Sequence, residues 1–327
     1  MKTIKAEIPK TKQLTVIARV CAAILGCGLL GVSLPSQSEV TISGHVAYNA
    51  VDRDSEEDLV FQRNGFTESR FRLVYKKDLE NGMKLAIVEE IGLDEGEGAL
   101  HARRQEVILN GDFGGVRFGQ GNDAADGNLD GDLSGTAVIQ PMASNSAALG
   151  YSSANYNGFD PGRGERIRYD SPNLEGAVIS AQLGENAEME VGLRFNTSFD
   201  GDDQFRVGAF IANTDTDTDS LGVLVAYKIV SGLNFAVVIS SKDNAAGLQD
   251  GDFTAFKVGY TTGKHAVSLV LGTSENPGNA VETDAFGVAY VYMLDKGVEL
   301  YSAVQDFKSD NNAVDEDFIV FGTRVKF

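Results

Sequence analysis

The sequence lacks tryptophan, has only six prolines and two cysteines, and after residue 34 contains no long apolar run. A membrane-spanning helix needs about 20 consecutive apolar residues, so a multi-helix membrane protein is excluded. Few prolines together with 37 glycines fit strands joined by tight turns better than helices. These absences predict a strand-rich chain.

Both cysteines, Cys21 and Cys27, lie in an N-terminal segment that predicts an export signal. Five basic residues lie before or at the start of an almost unbroken apolar run at 20–34, and small residues then offer a cleavage site. A lipoprotein signal ending at Cys27 is the alternative, but only about five apolar residues precede that cysteine. We therefore assign 1–38 to a signal peptide and 39–327 to one mature domain without cysteine. Disulfides, thiolate metal sites and cysteine nucleophiles are excluded from that domain.

Basic residues are scarce, since 28 lysines and arginines stand against 47 aspartates and glutamates. The predicted signal holds five of the basic residues and one acidic residue, so the mature chain carries 23 and 46, a net charge of about −23. Nucleic-acid binding needs clustered lysine and arginine, and a surface of this sign repels nucleic acid. The charge favours solubility or a salty habitat, with acidic loops that hold divalent cations beside lipopolysaccharide as the alternative.

From residue 39 to the end, apolar and polar residues alternate in segments of about ten. A strand of a soluble sandwich has the same period of two. The connections distinguish the folds, because tight turns such as 81–82 and 262–263 alternate with long acidic loops such as 52–65 and 310–317. The sequence predicts an all-β fold, a transmembrane antiparallel β-barrel of about 16 strands. The predicted strands start near residues 40, 69, 84, 103, 116, 166, 177, 190, 204, 221, 233, 254, 265, 284, 298 and 317.

One connection, between residues 119 and 166, is about 45 residues long, whereas structureless connections above about 15 residues are unusual. Four aspartates near its start are followed at 136–162 by scattered apolar residues. A disordered insert would be more uniformly polar. We therefore expect a long third loop that folds inward and packs in the lumen.

Three segments carry a resemblance to a known family. Residues 69–84 read SRFRLVYKKDLENGMK, 111–120 read GDFGGVRFGQ and 169–176 read YDSPNLEG. Each resembles a strand-and-turn motif of the Gram-negative general porin family, in that family's order, and the terminal Phe327 resembles part of the family's assembly signal. Ile108, where a glycine is common, and the lack of an arginine after residue 120 depart from the family pattern.

The resemblance implies a sixteen-stranded barrel, usually a homotrimer, whose third loop forms a constriction. It also implies insertion into outer-membrane lipid by the barrel assembly machinery. We expect an outer-membrane porin, a water-filled channel for passive diffusion of ions and small hydrophilic solutes. A substrate-selective channel or a surface adhesin on the same barrel is the alternative. We expect no cofactor and no enzymatic activity, because no nucleophile–base pair is recognisable.

Strand parity predicts the residues of the constriction. Hydrocarbon penalises charge, so the apolar set of each strand faces lipid and the intervening residues face the lumen. Arginines would then line one wall opposite loop acids, with a transverse field between them. For the pair at 103 and 104 the alternatives stay open, because neighbouring apolar residues favour Arg104 inside whereas the family match favours Arg103. The predicted residues are Arg70, Arg72, Arg103, Arg104, Arg117, Arg166 and Arg168 on the wall and Asp123, Asp126, Asp130 and Asp132 in the loop.

An alternative leaves the acids in outside solvent and pairs the arginines with lumen carboxylates such as Glu90. The acidic total of the chain favours cations over anions as permeant ions.

The loop also contains a weak calcium pattern. Asp126, Asn128, Asp130 and Asp132 have the alternate spacing of a calcium loop, but Ala137 stands where a bidentate glutamate is required. Pore-lining or solvated acids are the favoured interpretation. The acidic run at 214–219 predicts a solvated loop.

The three histidines, His45, His101 and His265, fall on three different predicted segments. No metal site or catalytic triad can be assembled from them. His101 is predicted to lie in an outer loop without a partner.

The last predicted strand has two different faces. Phe321, Val325 and Phe327 lie on one face and Arg324 and Lys326 on the other. A charge facing lipid costs about 2–4 kcal/mol near the bilayer midplane, so the apolar face must face lipid. Phe321, Val325 and Phe327 are the predicted assembly signal.

Overall fold

The computed structural model describes residues 38–54, 57–93, 100–142, 156–159, 161–185, 188–199, 203–214, 218–244, 250–275, 281–310 and 315–327. The predicted signal peptide lies outside these residues except for Ser38, as do 215–217 of the acidic run and 143–155 of the long loop. Within the described ranges, no helix is long and apolar enough to cross a membrane.

The described chain folds into β-strands joined by turns and loops. The strands are β1 (Ser38–Arg53), β2 (Val60–Arg63), β3 (Arg70–Asp78), β4 (Lys84–Leu93), β5 (Leu100–Gly111), β6 (Gly114–Asn122), β7 (Arg163–Asp170), β8 (Ala177–Gly184), β9 (Met189–Ser198), β10 (Gln204–Thr214), β11 (Thr218–Lys228), β12 (Leu233–Asp243), β13 (Gly251–Thr262), β14 (His265–Glu275), β15 (Glu282–Asp295), β16 (Val298–Ser309) and β17 (Glu316–Lys326).

The strands form a closed antiparallel barrel. From β3 to β17 each strand pairs with the next, and β17 pairs back with β1 from His45↔Lys326 to Arg53↔Phe318. Both β2 and β3 pair with β1, so they form one interrupted strand. The barrel therefore has sixteen strands, an even number that leaves no unpaired edge.

The predicted fold is confirmed, and each predicted strand start lies within three residues of the observed one. Tight turns close the hairpins at one rim, for example at Gly82, whose φ of +81° suits glycine far better than other residues. The exception is β2, which lies inside the predicted loop at 52–65. Its short ladder with β1 ends before Ser69, whose hydroxyl accepts a hydrogen bond from the Ala47 amide at 2.9 Å.

Side chains alternate between the two faces of the wall. On β11 to β13, Val223, Val237 and Phe256 are exposed on the outer face, as expected of residues that contact lipid. Between them, Leu224, Val238 and Ala255 are buried on the inner face. The core of the molecule therefore lies inside the barrel, where the long loop packs.

Candidate functional site

The long loop enters the lumen directly after β6. The Ala124 amide donates to the Gln182 side chain at 2.6 Å, and the Ala125 amide donates to Glu190 at 2.9 Å. The loop backbone then lies against two glycines of the wall. A Cβ added at Gly192 would collide with the Ala124 carbonyl, and one at Gly208 would collide with the Asn128 carbonyl. Glycine at these two positions lets the loop approach the wall at backbone distance.

The middle of the loop is anchored to the opposite wall by a buried lysine. Lys257 on β13 pairs with Asp132 at 3.3 Å and also donates to the Gln140 carbonyl. The Thr136 hydroxyl lies 2.7 Å from that of Ser268 on β14. One ammonium group therefore fixes both ends of the loop segment 132–140.

Apolar side chains fill the space between this part of the loop and the wall. Ile139 and Met142 are fully buried, and the Tyr156 ring lies 5.1 Å from Phe253 and 5.4 Å from Phe307. Wall residues on β10 to β17 thus carry apolar side chains on their inner face. The described part of the loop and its apolar packing occupy this side of the lumen, and charged side chains line the other side.

That other side is lined by arginines arranged around buried carboxylates. Glu90 on β4 binds Arg72, Arg103 at 2.9 Å and Arg70 at 3.6 Å. Arg103 also binds Glu68, which precedes β3. A single carboxylate therefore holds three guanidinium groups on neighbouring strands.

A β-bulge decides between the alternatives at 103 and 104. Glu90 pairs with Arg104 whereas the next residue of β4 pairs with Ala102, so Arg103 is the extra residue of β5. A bulge breaks strand alternation locally. Both arginines consequently reach lumen carboxylates, Arg103 binding Glu90 and Arg104 binding Glu106 at 2.6 Å.

The remaining wall arginines surround two further carboxylates. Glu106 lies 3.5 Å from Arg117 and 3.4 Å from Arg166. Asp170, at the end of β7, binds Arg117 and Arg168, each at 2.7 Å. Arg168 also donates to the Asp123 carbonyl at 2.7 Å, so this cluster supports the point at which the loop turns inward.

The four predicted loop acids do not act as one set. Asp123 approaches Arg166 at 4.0 Å, Asp130 is exposed, and Asp132 is bound by Lys257 on the apolar side. Asp126 has one buried carboxylate oxygen without a hydrogen-bond partner among the described residues. Burial, reinforced by Asp130 and Asp123 and opposed by Arg163, raises the pKa of Asp126 to about 7.

The calcium pattern is not assembled into a site. Asn128 donates to the Ala124 and Ala209 carbonyls, and Asp132 faces Lys257. In the part of the chain that the structure describes, no group of three or more carboxylates and histidines is arranged to hold a metal.

The prediction for His101 is wrong on two points. The residue lies in β5, and its Nε2 atom is 3.0 Å from a Glu68 carboxylate oxygen.

In the last strand Phe321, Val325 and Phe327 are exposed on the outer face, while Arg324 binds Glu299 at 2.6 Å on the inner face.

Several charged lumen residues were not among those predicted from the sequence. Arg194 and Arg206 project inward from β9 and β10, and Lys257 does so from β13. Each lies between outward apolar residues, so strand parity could have identified all three. The carboxylates Glu68, Glu106 and Asp170 were missed because their role depends on neighbouring strands.

Comparisons with known proteins agree with this architecture. The family model described as Gram-negative porin matches residues 22–312. No curated protein sequence matches the chain. Among solved structures, an anion-selective porin from Comamonas acidovorans is 18% identical, with a TM-score of 0.68 and coverage of 89% of this chain and 100% of that one.

Two further solved structures share the fold at low sequence identity. The trimer form of OmpT, an outer membrane protein of Vibrio cholerae, is 12% identical, with a TM-score of 0.65 and coverage of 89% and 100%. The outer membrane channel DcaP of Acinetobacter baumannii is 11% identical, with a TM-score of 0.64 and coverage of 91% and 100%. These likenesses concern the fold, whereas the family match covers most of the chain. The chain therefore belongs to the Gram-negative porin family of outer-membrane channel proteins.

Proposed function

We propose that the protein is a water-filled channel through which ions and small hydrophilic solutes diffuse passively. The observation that carries this proposal is the placement of the long loop, which narrows the lumen on the apolar side and leaves a path along the arginine wall. Such a path is polar, laterally charged and closed to apolar solutes.

Selectivity is set where the loop meets the wall. Asp123 lies beside Arg166, and Asp126 is within electrostatic range of Arg163 and Arg168. Loop acids and wall arginines of opposite sign create a transverse field that orients dipolar solutes. Asp132 takes no part in this field, because Lys257 neutralises it on the other side of the lumen.

Liposome swelling tests the proposal. Refolded protein in vesicles should admit neutral sugars at rates that fall steeply with molecular size, since the loop limits the width of the path. Vesicles that do not swell with any sugar would refute a diffusion channel. A rate that saturates with one sugar but not with others would instead favour the substrate-selective alternative.

The assembly of the channel follows from its outer surface. The exposed apolar residues on the outer face fit outer-membrane lipid, with lipopolysaccharide at the outer rim. We propose export by the cleaved signal peptide, insertion by the barrel assembly machinery and association as a homotrimer. The similar OmpT barrel of Vibrio cholerae has a trimer form, which supports this association. A mass measurement in detergent that shows only monomer would refute the trimer and leave the channel intact.

A further inference from the structure

The inner wall on β3 to β10 carries more cations than carboxylates. Among the residues that the structure describes, five carboxylates on or beside these strands bind wall arginines or the loop: Glu68, Glu90, Glu106, Asp170 and Glu190. Nine guanidinium groups face them: Arg70, Arg72, Arg103, Arg104, Arg117, Arg166, Arg168, Arg194 and Arg206. The wall along the path is therefore positive, although the chain as a whole is acidic.

The carboxylates of this wall lie behind the arginines. The side chains of Glu90 and Glu106 are 1% and 0% exposed, whereas those of Arg72 and Arg117 are 36% and 28% exposed. A solute in the lumen therefore meets guanidinium groups first. Because a water-filled lumen screens charge within about 8–10 Å at physiological ionic strength, the nearest charges dominate the field that an ion experiences.

Two of the nine wall arginines differ from the others in their surroundings. In the described ranges no carboxylate oxygen lies within 4.0 Å of the guanidinium groups of Arg194 or Arg206. Arg206 donates to the Asn196 side chain at 2.6 Å and to the Gly131 carbonyl at 3.0 Å, both of which are neutral. Arg194 lies within electrostatic range of two arginines, Arg168 and Arg117, and of two carboxylates, Asp170 and Asp126, neither of which forms an ion pair with it.

The loop acids do not compensate for this excess. Asp132 is neutralised by Lys257, and Asp123 is shared with Arg166. Asp126 is partly protonated at neutral pH, since its pKa is raised to about 7 by burial. Among the described loop acids, Asp130 stays exposed, and one carboxylate is fewer than the two guanidinium groups without an ion pair.

We propose that the channel selects anions, and that Arg194 and Arg206 form the point at which small solutes carrying a carboxylate or phosphate group dwell. This inference rests on the proposed channel function and adds the sign of the ion selectivity and the chemical class of the solutes. It reverses the preference for cations that the acidic total of the chain favours. The charges that decide selectivity are those beside the path, whereas most acidic residues lie elsewhere in the chain.

Reversal potentials in a potassium chloride gradient test the sign. The wild-type channel should be more permeable to chloride than to potassium. Arg194→Glu should lower the chloride-to-potassium permeability ratio about two- to threefold, as expected for reversing one charge beside the ion path. Arg194→Lys keeps the charge and should keep the wild-type ratio. Lys308→Glu makes the same charge change at a side chain that is 66% exposed, outside the lumen, and should leave the ratio unchanged.

Inorganic phosphate provides the second readout. Phosphate added to one side should interrupt the potassium chloride current of the wild type, with interruptions at least twofold shorter in Arg194→Glu. Each variant is first checked for the heat-dependent gel shift of a folded barrel, and Arg194→Gln replaces any variant that fails it.

The outcomes separate the two proposals. A folded wild type without conductance refutes the channel itself. A conducting wild type that prefers potassium refutes anion selectivity alone. Equal permeability ratios in Arg194→Glu and Lys308→Glu, or phosphate interruptions unchanged in Arg194→Glu, refute the role of Arg194.

Discussion

Glu90 shows how one buried carboxylate organises the basic wall. Its side chain is 1% exposed and binds Arg70, Arg72 and Arg103. Without it, three guanidinium groups from the two strands that flank β4 would repel one another at close range on the same wall. Stability and the shape of the path thus depend on the same group.

Replacing this group should destabilise the barrel. We expect Glu90→Gln to lower the free energy of unfolding by about 2–3 kcal/mol, less than the roughly 3–5 kcal/mol of breaking a fully buried pair, because Arg72 reaches lumen water. Urea unfolding in detergent measures the change. Glu89→Gln is the control, since it makes the same chemical change one residue earlier, on the outer face. It should lower the free energy of unfolding far less than Glu90→Gln does. Equal losses in the two variants would contradict the role assigned to Glu90.

Asp126 makes the channel sensitive to pH near neutrality. Its pKa is raised to about 7, so the carboxyl is mostly ionised at pH 8 and mostly protonated at pH 6. The charged groups around it are Arg103, Arg163, Arg168, Arg194, Asp123, Asp130 and Glu190. Protonation of Asp126 removes one negative charge from the lumen and leaves these arginines less balanced.

Anion permeability should therefore rise as the pH falls from 8 to 6. Reversal potentials at the two pH values measure the change in the wild type. Asp126→Asn has no charge to lose at this position, so at pH 8 its anion permeability should already exceed that of the wild type, and its change between pH 8 and pH 6 should be smaller. A variant that responds to pH as strongly as the wild type would assign the titration to another group.

The long loop is the element on which the width of the path depends. Lys257 joins Asp132 and the Gln140 carbonyl, and both side chains of the ion pair are buried. Hydrogen bonds to β14 and β16 fix the same segment, since the Gln305 side chain donates to the Ile139 carbonyl at 3.1 Å. The described segment 132–140 is thus held at several points, and Lys257 supplies the charged link among them.

Removing the lysine should free this segment. Lys257→Met leaves the buried Asp132 carboxylate without a cation, although Ser134 still donates to it. We expect a cost of about 3–5 kcal/mol, and single-channel currents should become larger or noisier. Adding Asp132→Leu should recover stability but not the wild-type current, because the link to Gln140 is still missing. Lys264→Met removes an exposed lysine in the next turn as a control. Currents identical to those of this control would contradict the anchoring role.

Phe327 lies at the end of the last strand, where β17 closes the barrel against β1. Phe327 exchanges two backbone hydrogen bonds of 3.0 Å with Gly44 and exposes its ring on the outer face. Its deletion should leave the protein unassembled in the periplasm, because the last ladder bonds between β17 and β1 and the outward ring are lost. Phe327→Tyr keeps both features and should assemble. Cell fractionation with a heat-modifiability gel measures the outcome, and normal levels of folded barrel after the deletion would count against this signal.

The strands of the whole molecule could be predicted from the sequence, but the filling of the lumen could not. Alternation and turn residues report local geometry, which is why the strand starts agree. Parity assigned apolar residues to lipid, yet Phe253, Phe307 and Phe318 are apolar on the inner face, because the loop and not water covers them. The bulge at Arg103 also escaped prediction, since it depends on the pairing with β4.

At the scale of the molecule, the barrel has two unlike inner halves. The side with the buried loop is packed with apolar side chains, while the other side carries the arginines and their carboxylates, along which we propose that solutes pass. A closed sheet tolerates this division, because its backbone hydrogen bonds are satisfied whichever side chains face inward.

Single-channel recording of the refolded wild-type protein in a planar bilayer tests whether the barrel is a water-filled, anion-selective channel. We expect discrete current steps that vary nearly linearly with voltage, with a reversal potential in a potassium chloride gradient that indicates preference for chloride. Folded barrel that inserts into the bilayer but passes no current would show that the protein is not a diffusion channel.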